Sequence, residues 1–275
     1  MAAAAPLLIG VDFTSRPSRT KTIVLAAGRC AGDRLELDAL HRFASNDAFV
    51  AWLAARPAWV GGFDLPFGLP RELVEQLGWP RAWADCIAHY TALDRATIRA
   101  TFAAFCAARP AGSKFAHRGC DRPAGSSPSM KWVNPPVAYM LHAGVPLLRS
   151  VGAWFPAHQP RPAAGADRVA LEAYPGLPAR AAIGRRSYKS DAAAGRTPER
   201  RQARNALLDA LCRGRTPLGL LLRCSAAQRA AIAADAGGDA LDAVLCLLQA
   251  AWASRQPGWG LPAGVDPLEG WIVGA

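Results

Sequence analysis

The sequence lacks the features typical of membrane-spanning proteins, of secreted proteins and of nucleotide-binding proteins with a glycine-rich phosphate loop. No run approaches the roughly 18 uninterrupted apolar residues of a transmembrane helix. The start, MAAAAPLLIGVD, has no basic leader and reaches an acid at Asp12, so we expect a first strand rather than a signal peptide. Neither G-x-x-x-x-G-K-S/T nor G-x-G-x-x-G occurs, so the sequence predicts no glycine loop that cradles phosphate.

Paired cysteine motifs are absent as well. The seven cysteines form no C-x-x-C pair, and several lie in apolar runs, as Cys246 does. Cys106, His117 and Cys120 have neither the number nor the spacing of a zinc site. Thiols used in this way act as small hydrophobic side chains in a reducing compartment, so we expect a cytoplasmic protein.

Lysine is scarce, since only four of the 32 basic residues are lysine. The basic residues are concentrated in one segment, residues 180–215, which contains ten of them against three acids. Over all 275 residues the net charge is +11. Positive charge concentrated in this way suits a polyanionic partner, so we expect nucleic acid, either DNA or RNA, and no membrane.

The chain is 51% hydrophobic and 19% charged, which excludes wholesale disorder and leaves enough apolar residues for a large core. Short β-favouring runs at 7–14, 22–30 and 35–43 predict three antiparallel strands. A helix follows from Asn46, then WVGGFDLPFG predicts a fourth strand and RVALEAYPGL a fifth. We therefore predict a single α/β domain over 1–275, with a mixed five-stranded sheet and a helical and loop insertion at 66–165.

Several acids stand where a protein core would not ordinarily accept one. Asp12 lies at the end of the first predicted strand, Asp64 at the end of the fourth, and Glu172 within the fifth. Asp239 and Asp242 open the last helix, three positions apart and hence on one face. Each has an ordinary alternative: a turn for Asp12 and Asp64, a salt bridge for Glu172, and helix capping for the last two.

Carboxylates that converge repel one another, and a divalent cation offsets that repulsion. A ligand set made only of oxygen favours Mg²⁺ or Mn²⁺. Two such ions can activate water and stabilise the leaving oxygen in phosphodiester hydrolysis. The pattern therefore favours a metal site formed by Asp12, Asp64, Asp239 and Asp242, with Glu172 as a further candidate for the catalytic set.

These acids occur in segments that resemble a known family. An aspartate in the first of three meander strands, an acid ending the fourth, and D-x-x-D opening a late helix resemble the ribonuclease H-like superfamily. More closely, the chain is similar to domain-of-unknown-function family 429. The segments that carry this similarity are GVDFTSRPSRTK, GFDLPFGLPRELV, LEAYPGLPAR, YKSD, GGDALDAVLCLLQAAW and EGWIVG. The resemblance implies a ribonuclease H-like fold and nuclease activity, and it indicates the same five acids.

A second group of residues is predicted to bind the nucleic-acid backbone. Arg16 and Lys21 flank the first turn, where they can meet a phosphate or form an ordinary polar hairpin. The others belong to the basic segment. They are Arg185, Arg186, Lys189, Arg196, Arg200 and Arg204. Arg196, Arg200 and Arg204 recur every four residues, so in a helix over 197–212 they are predicted to lie on one basic face. The alternative is that this face is solvated and binds no phosphate.

We therefore expect a metal-dependent nuclease that hydrolyses nucleic-acid phosphodiester bonds at a carboxylate-held Mg²⁺ or Mn²⁺ site. One alternative is a nucleotide-binding phosphotransferase or ATPase of the actin-like kind, which would be stabilised by nucleotide. The other is a nucleic-acid-binding protein without activity, whose acids only cap helices and form ion pairs.

Overall fold

A computed structural model describes residues 6–275. The strands are β1 (Leu7–Asp12), β2 (Ile23–Ala31), β3 (Arg34–Phe43), β4 (Trp59–Asp64), β5 (Arg168–Glu172) and β6 (Leu221–Arg223). The helices are α1 (Asn46–Ala54), α2 (Arg71–Gln76), α3 (Trp83–Ala92), α4 (Arg95–Ala107), α5 (Asp121–Ala124), α6 (Val137–Ser150), α7 (Gly176–Ile183), α8 (Pro198–Cys212), α9 (Ala226–Ala234) and α10 (Asp239–Ala253). None of these helices is both long enough and apolar enough to cross a membrane.

The strands form one mixed sheet in the order β5-β4-β1-β2-β3-β6. Strands β1, β2 and β3 form the antiparallel meander, whereas β4 runs parallel to β1 and β5 parallel to β4. The predicted α/β class is confirmed, and the arrangement is consistent with a ribonuclease H-like fold. The sheet has six strands rather than five because β6, only three residues long, pairs parallel with the edge of β3. Such a short run carries no periodicity that a sequence pattern can show.

Side chains alternate between the two faces of the sheet and build a separate core on each. On β1, Ile9 and Val11 enter the core formed with helices α1, α3, α4 and α6. Leu8 belongs to the opposite core, formed mainly with α8 and α10. Because alternation has a period of two, Gly10 and Asp12 lie on the same face as Leu8.

Helix α10 crosses that second face at unusually short range. A Cβ on Gly10 would lie 2.0 Å from the backbone nitrogen of Leu247, and a Cβ on Gly62 would lie 2.5 Å from the carbonyl oxygen of Cys246. Gly10 and Gly62 are direct neighbours in the register of β1 with β4. The two glycines therefore form a side-chain-free track on which the helix backbone rests.

The chain between β4 and β5 contains α2 to α6. Residues 109–136, a stretch rich in glycine, proline and serine within the predicted insertion at 66–165, are partly buried: Arg118 and Asp121 are 3% and 0% exposed. Helix α6 continues through Pro146 to Ser150, because its buried Leu141, Val145 and Leu148 hold the last turns against the core.

Substitution of a glycine in this track tests whether the backbone of α10 packs directly on β1. We expect Gly10→Ala to lower the free energy of unfolding by about 3 kcal/mol, because the new methyl group meets helix backbone that cannot rotate away. Urea unfolding followed by circular dichroism measures this change.

Gly119→Ala is the matched control, since its nearest neighbour would be a Glu269 side-chain oxygen at 3.7 Å, an ordinary contact. That variant should stay within about 0.5 kcal/mol of the parent. Equal, small effects of the two substitutions would show that α10 does not rest on β1 in this way.

Candidate metal centre

Two aspartates end adjacent parallel strands at the same level. Asp12 is the last residue of β1, Asp64 is the last residue of β4, and the two are paired in the strand register. Each follows a track glycine by two residues, so both side chains point to the face that α10 covers. Parallel pairing thus places two carboxylates side by side at the carboxyl edge of the sheet.

Helix α10 supplies the third carboxylate. The helix begins after Gly238, whose φ of 78° is favoured by glycine, and the backbone nitrogen of Asp242 donates to the Gly238 carbonyl at 2.8 Å. Asp242 is fully buried, and Asp12 is 8% exposed. One carboxylate oxygen from each of Asp12, Asp64 and Asp242 lies within 4.8 Å of the other two, and this acidic trio can hold a metal ion.

The three carboxylates differ in their partners. Asp242 accepts a hydrogen bond on Oδ1 from the Tyr188 hydroxyl at 2.6 Å, and the Lys189 ammonium donates to its Oδ2. Within residues 6–275, no backbone or side-chain donor contacts the carboxylates of Asp12 and Asp64. Buried carboxylates ordinarily have such partners, so two members of the trio keep their oxygens available for a cation.

The electrostatics of the trio are those of crowded, buried negative charge. Burial, reinforced by the nearby carboxylates of Asp242, Asp239 and Asp64, raises the pKa of Asp12 well above its ordinary value of 3.8. Burial raises the pKa of Asp64 to about 7, against the opposing effect of the Lys189 ammonium. Proton uptake is one way to relieve this repulsion, and a divalent cation is another.

Tyr188 and Lys189 are held in place by their own backbone contacts. Arg204 donates from Nη1 to the Tyr188 carbonyl at 2.8 Å and from Nε to the Ala233 carbonyl at 2.9 Å. Arg204 is 3% exposed, so the structure places it apart from the exposed arginines with which it is predicted to bind nucleic acid, and that role stays a prediction. The reason is periodicity: Arg204 is four and seven residues from Leu208 and Leu211, on the inward face of α8.

Asp239 does not belong to the trio, although it lies one helical turn away. Its Oδ1 accepts a hydrogen bond from Lys21 at 2.9 Å, and the same ammonium contacts Asp191 at 3.0 Å. Its charge still raises the pKa of Asp12. Of the four predicted metal ligands, Asp12, Asp64 and Asp242 are brought together, while Asp239 and Lys21 form a neighbouring ion pair.

Glu172, predicted to be part of the catalytic set, lies on the other side of the sheet from the trio. It is paired in register with Phe63, which lies in the core opposite α10. Both Glu172 oxygens accept from the Arg118 guanidinium, at 2.6 and 2.8 Å, and Oε2 also accepts from the backbone nitrogen of Phe67 at 3.0 Å. This buried ion pair separates Glu172 from the trio's face of the sheet, although its charge still helps to raise the pKa of Asp64.

The other predicted cationic residues surround the trio at greater distance. Arg185 and Arg186 are exposed and line a groove of about 460 Å³ with Arg180, Gly184 and Tyr188, here named the arginine groove. Arg196 lines a second groove of about 520 Å³ with Arg19, Lys21, Asp191 and Asp239, named the mixed-charge groove. Arg16 is exposed, and Arg200 donates to the Gly195 carbonyl and, at 3.1 Å, to the Ser187 hydroxyl.

Four residues that hold the predicted acids in place have no counterpart in the sequence predictions: Tyr188, Gly10, Gly62 and Arg118. Tyr188 stands beside a predicted residue, but only the fold shows that its hydroxyl reaches Asp242. Gly10 and Gly62 form a repeated G-x-D pattern with Asp12 and Asp64, and this repetition is a signal that could have been read. No sequence motif around Arg118 distinguishes it from the neighbouring arginines.

The raised pKa of Asp64 makes the stability of the metal-free protein depend on pH. A carboxyl group whose pKa is raised by folding stabilises the fold below its unfolded pKa, and this contribution is lost as pH rises through its folded pKa. For Asp64 the window runs from 3.8 to about 7. We therefore expect Asp64→Asn, which stays neutral, to gain in melting temperature relative to the parent as pH rises across that window.

Thermal melts in a chelator on both sides of this window measure the difference. Asp33→Asn serves as the control, because Asp33 is an exposed carboxylate in the turn between β2 and β3. If the melting temperature of the parent instead rises relative to that of Asp64→Asn as pH increases, the pKa of Asp64 is not raised by folding.

Comparison with known proteins identifies a family but no characterised relative. No curated protein and no solved structure shows significant similarity to the chain. A family model described as "Protein of unknown function (DUF429)" matches residues 10–264. This match includes the glycine track, the whole acidic trio, Tyr188 and Lys189. Because it spans nearly the whole sequence, the chain belongs to the DUF429 family of proteins of unknown function.

Proposed function

We propose that this protein is a metal-dependent phosphodiesterase that cleaves nucleic acid. The observation that carries the proposal is the acidic trio, in which Asp12, Asp64 and Asp242 offer oxygens within 4.8 Å of one another. The trio lies at the carboxyl edge of parallel strands, a common position for sites in α/β proteins. Its position next to two grooves that contain arginine supports a polyanionic substrate.

The residues fit a hard divalent cation. All donors in the trio are carboxylate oxygens, the ligand type that Mg²⁺ and Mn²⁺ prefer. Asp12 is nine-tenths buried, and no group in the described residues 6–275 donates to its carboxylate, so its charge has no hydrogen-bonded partner. When bound, such an ion supplies activation of water and stabilisation of the leaving oxygen.

The protein's own residues would perform the remaining work. Tyr188 fixes the orientation of the Asp242 carboxylate through its hydroxyl. Lys189 has 45% of its side chain exposed, so its ammonium can contact a phosphate oxygen while it also contacts Asp242. Arg185, Arg186 and Arg196 are exposed along the two grooves, where guanidinium groups suit the phosphate backbone.

The first test concerns the metal. We expect Mn²⁺ to raise the melting temperature of the parent and to support cleavage of single- or double-stranded nucleic acid. Asp12→Asn should lose both responses and should melt, without metal, at the same temperature as the parent or higher, because a repelling charge is removed.

Asp33→Asn, an exposed aspartate outside the trio, is the control and should keep both responses. A metal-free Asp12→Asn that melts several degrees lower, with no metal response in either protein, would make Asp12 a structural residue and refute the proposal. Stabilisation by nucleotide without cleavage would favour the phosphotransferase alternative, and binding without turnover would favour a non-enzymatic role.

The second test concerns the backbone contacts. Each phosphate contact that is lost should lower the slope of log affinity against log salt by about 0.9 for duplex DNA or about 0.7 for a single strand. Changing Arg185, Arg186 and Arg196 together to glutamine should therefore lower the slope by roughly two to three. Binding titrations at several salt concentrations measure it.

A triple variant with the same loss of charge provides the control. Arg201, Arg213 and Arg215 are also exposed in the basic segment but line neither groove. Their change to glutamine should leave the slope nearly unchanged. If both triple variants lower the slope equally, the grooves do not define the binding surface and only the net charge matters.

A further inference from the structure

The acidic trio and its lysine have a charge balance that limits how many metal ions the site holds. Three carboxylates from Asp12, Asp64 and Asp242 face one ammonium, that of Lys189. Asp239, in the same first turn of α10 as Asp242, is already paired with Lys21 at 2.9 Å. The excess is two negative charges, which is the charge that one divalent cation neutralises.

The existing contacts of the carboxylate oxygens near the trio also favour one metal ion. Both oxygens of Asp242 accept hydrogen bonds, Oδ1 from Tyr188 and Oδ2 from Lys189, so an ion that binds this carboxylate competes with these two donors for its remaining lone pairs. Asp239 is engaged by Lys21, and Glu172 is bound to Arg118 across the sheet. A second ion would therefore have to share Asp12 and Asp64 with the first, and it could use Oδ2 of Asp242 fully only by displacing the Lys189 ammonium.

Lys189 is anchored at this position. The next residue, Ser190, donates its backbone N–H to the Ala236 carbonyl at 3.1 Å, and Arg204 donates to the carbonyl of the preceding Tyr188. The stem of Lys189 packs on Gly238, where an added Cβ would lie 2.7 Å from the Lys189 Cβ. These contacts position the ammonium over Asp242.

We propose that the metal centre holds a single divalent cation and that Lys189 supplies its second positive charge. The inference rests on the proposed function, because it assigns the metal number and a catalytic residue to the same site. Asp12, nine-tenths buried and without a hydrogen-bonding partner in the described chain, is the independent sign that this cluster receives a cation. The exposed part of Lys189 would then be able to contact a substrate phosphate and supply the positive charge that a second ion supplies in two-metal sites.

The test counts bound Mn²⁺ per chain, by electron paramagnetic resonance of free Mn²⁺ together with equilibrium dialysis. The parent should bind one ion at saturation. Lys189→Met keeps the stem but removes the charge and frees one Asp242 oxygen, so it should bind two. Its cleavage rate should fall about 100-fold, as for loss of a group that stabilises developing charge.

Two matched variants complete the experiment. Lys189→Arg retains the positive charge and should bind one ion. Lys114→Met makes the same chemical change at an exposed lysine that lies in neither groove and outside the trio, and it should also bind one ion at full activity.

The outcomes separate this inference from the proposed function. Two ions in the parent, or one ion in Lys189→Met, would overturn the role of Lys189 and leave the metal centre intact. If the parent binds no Mn²⁺, the metal centre itself fails, and both the proposed function and this inference fail with it.

Discussion

Helix α10 can lie directly on strands β1 and β4 only because both strands carry glycine where it crosses them. The two glycines, Gly10 and Gly62, are neighbours in the strand register, and any side chain there would overlap helix backbone. This close approach buries the first turn of the helix against the end of the sheet, and so it places Asp242 beside Asp12 and Asp64. The Lys189 ammonium is then placed over Asp242 by separate contacts of its neighbours Tyr188 and Ser190.

Two buried ionic clusters within residues 6–275 show the difference between carboxylates paired inside the protein and carboxylates left without hydrogen-bonded partners. On one face, the carboxylates of Glu172 and Asp121 accept several hydrogen bonds, chiefly from the Arg118 guanidinium. That cluster ties part of the long segment 109–136 to the end of β5. On the other face, Asp12 and Asp64 accept none from the described residues. Burial of charge without partners is unfavourable, so the trio is the cluster that gains from an added cation.

The basic segment 180–215 divides in a similar way. Arg204 is buried and holds the carbonyl of Tyr188, and Arg200 bonds to nearby backbone and hydroxyl oxygens. Arg185, Arg186 and Arg196 remain exposed along the grooves. One part of the positive charge thus fixes the loop that carries Tyr188 and Lys189. The other part stays at the surface, where Arg186 and Arg196 also donate to the backbone carbonyls of Ile183 and Asp191. Charge concentrated in sequence therefore does not translate directly into a binding surface.

The sequence by itself determined the α/β class, the meander of β1 to β3, the strands β4 and β5, and the acids at strand and helix ends, because alternation, capping and turn signals are local. It did not reveal β6, whose three residues have no visible period. Only the tertiary structure decided which acids share a site. Glu172 points away because its register with β4 sets its face, and its partner Arg118 lies 54 residues earlier. Asp242 reaches the trio because a helix far along the chain packs on two glycines, and packing between distant segments cannot be read from any local pattern.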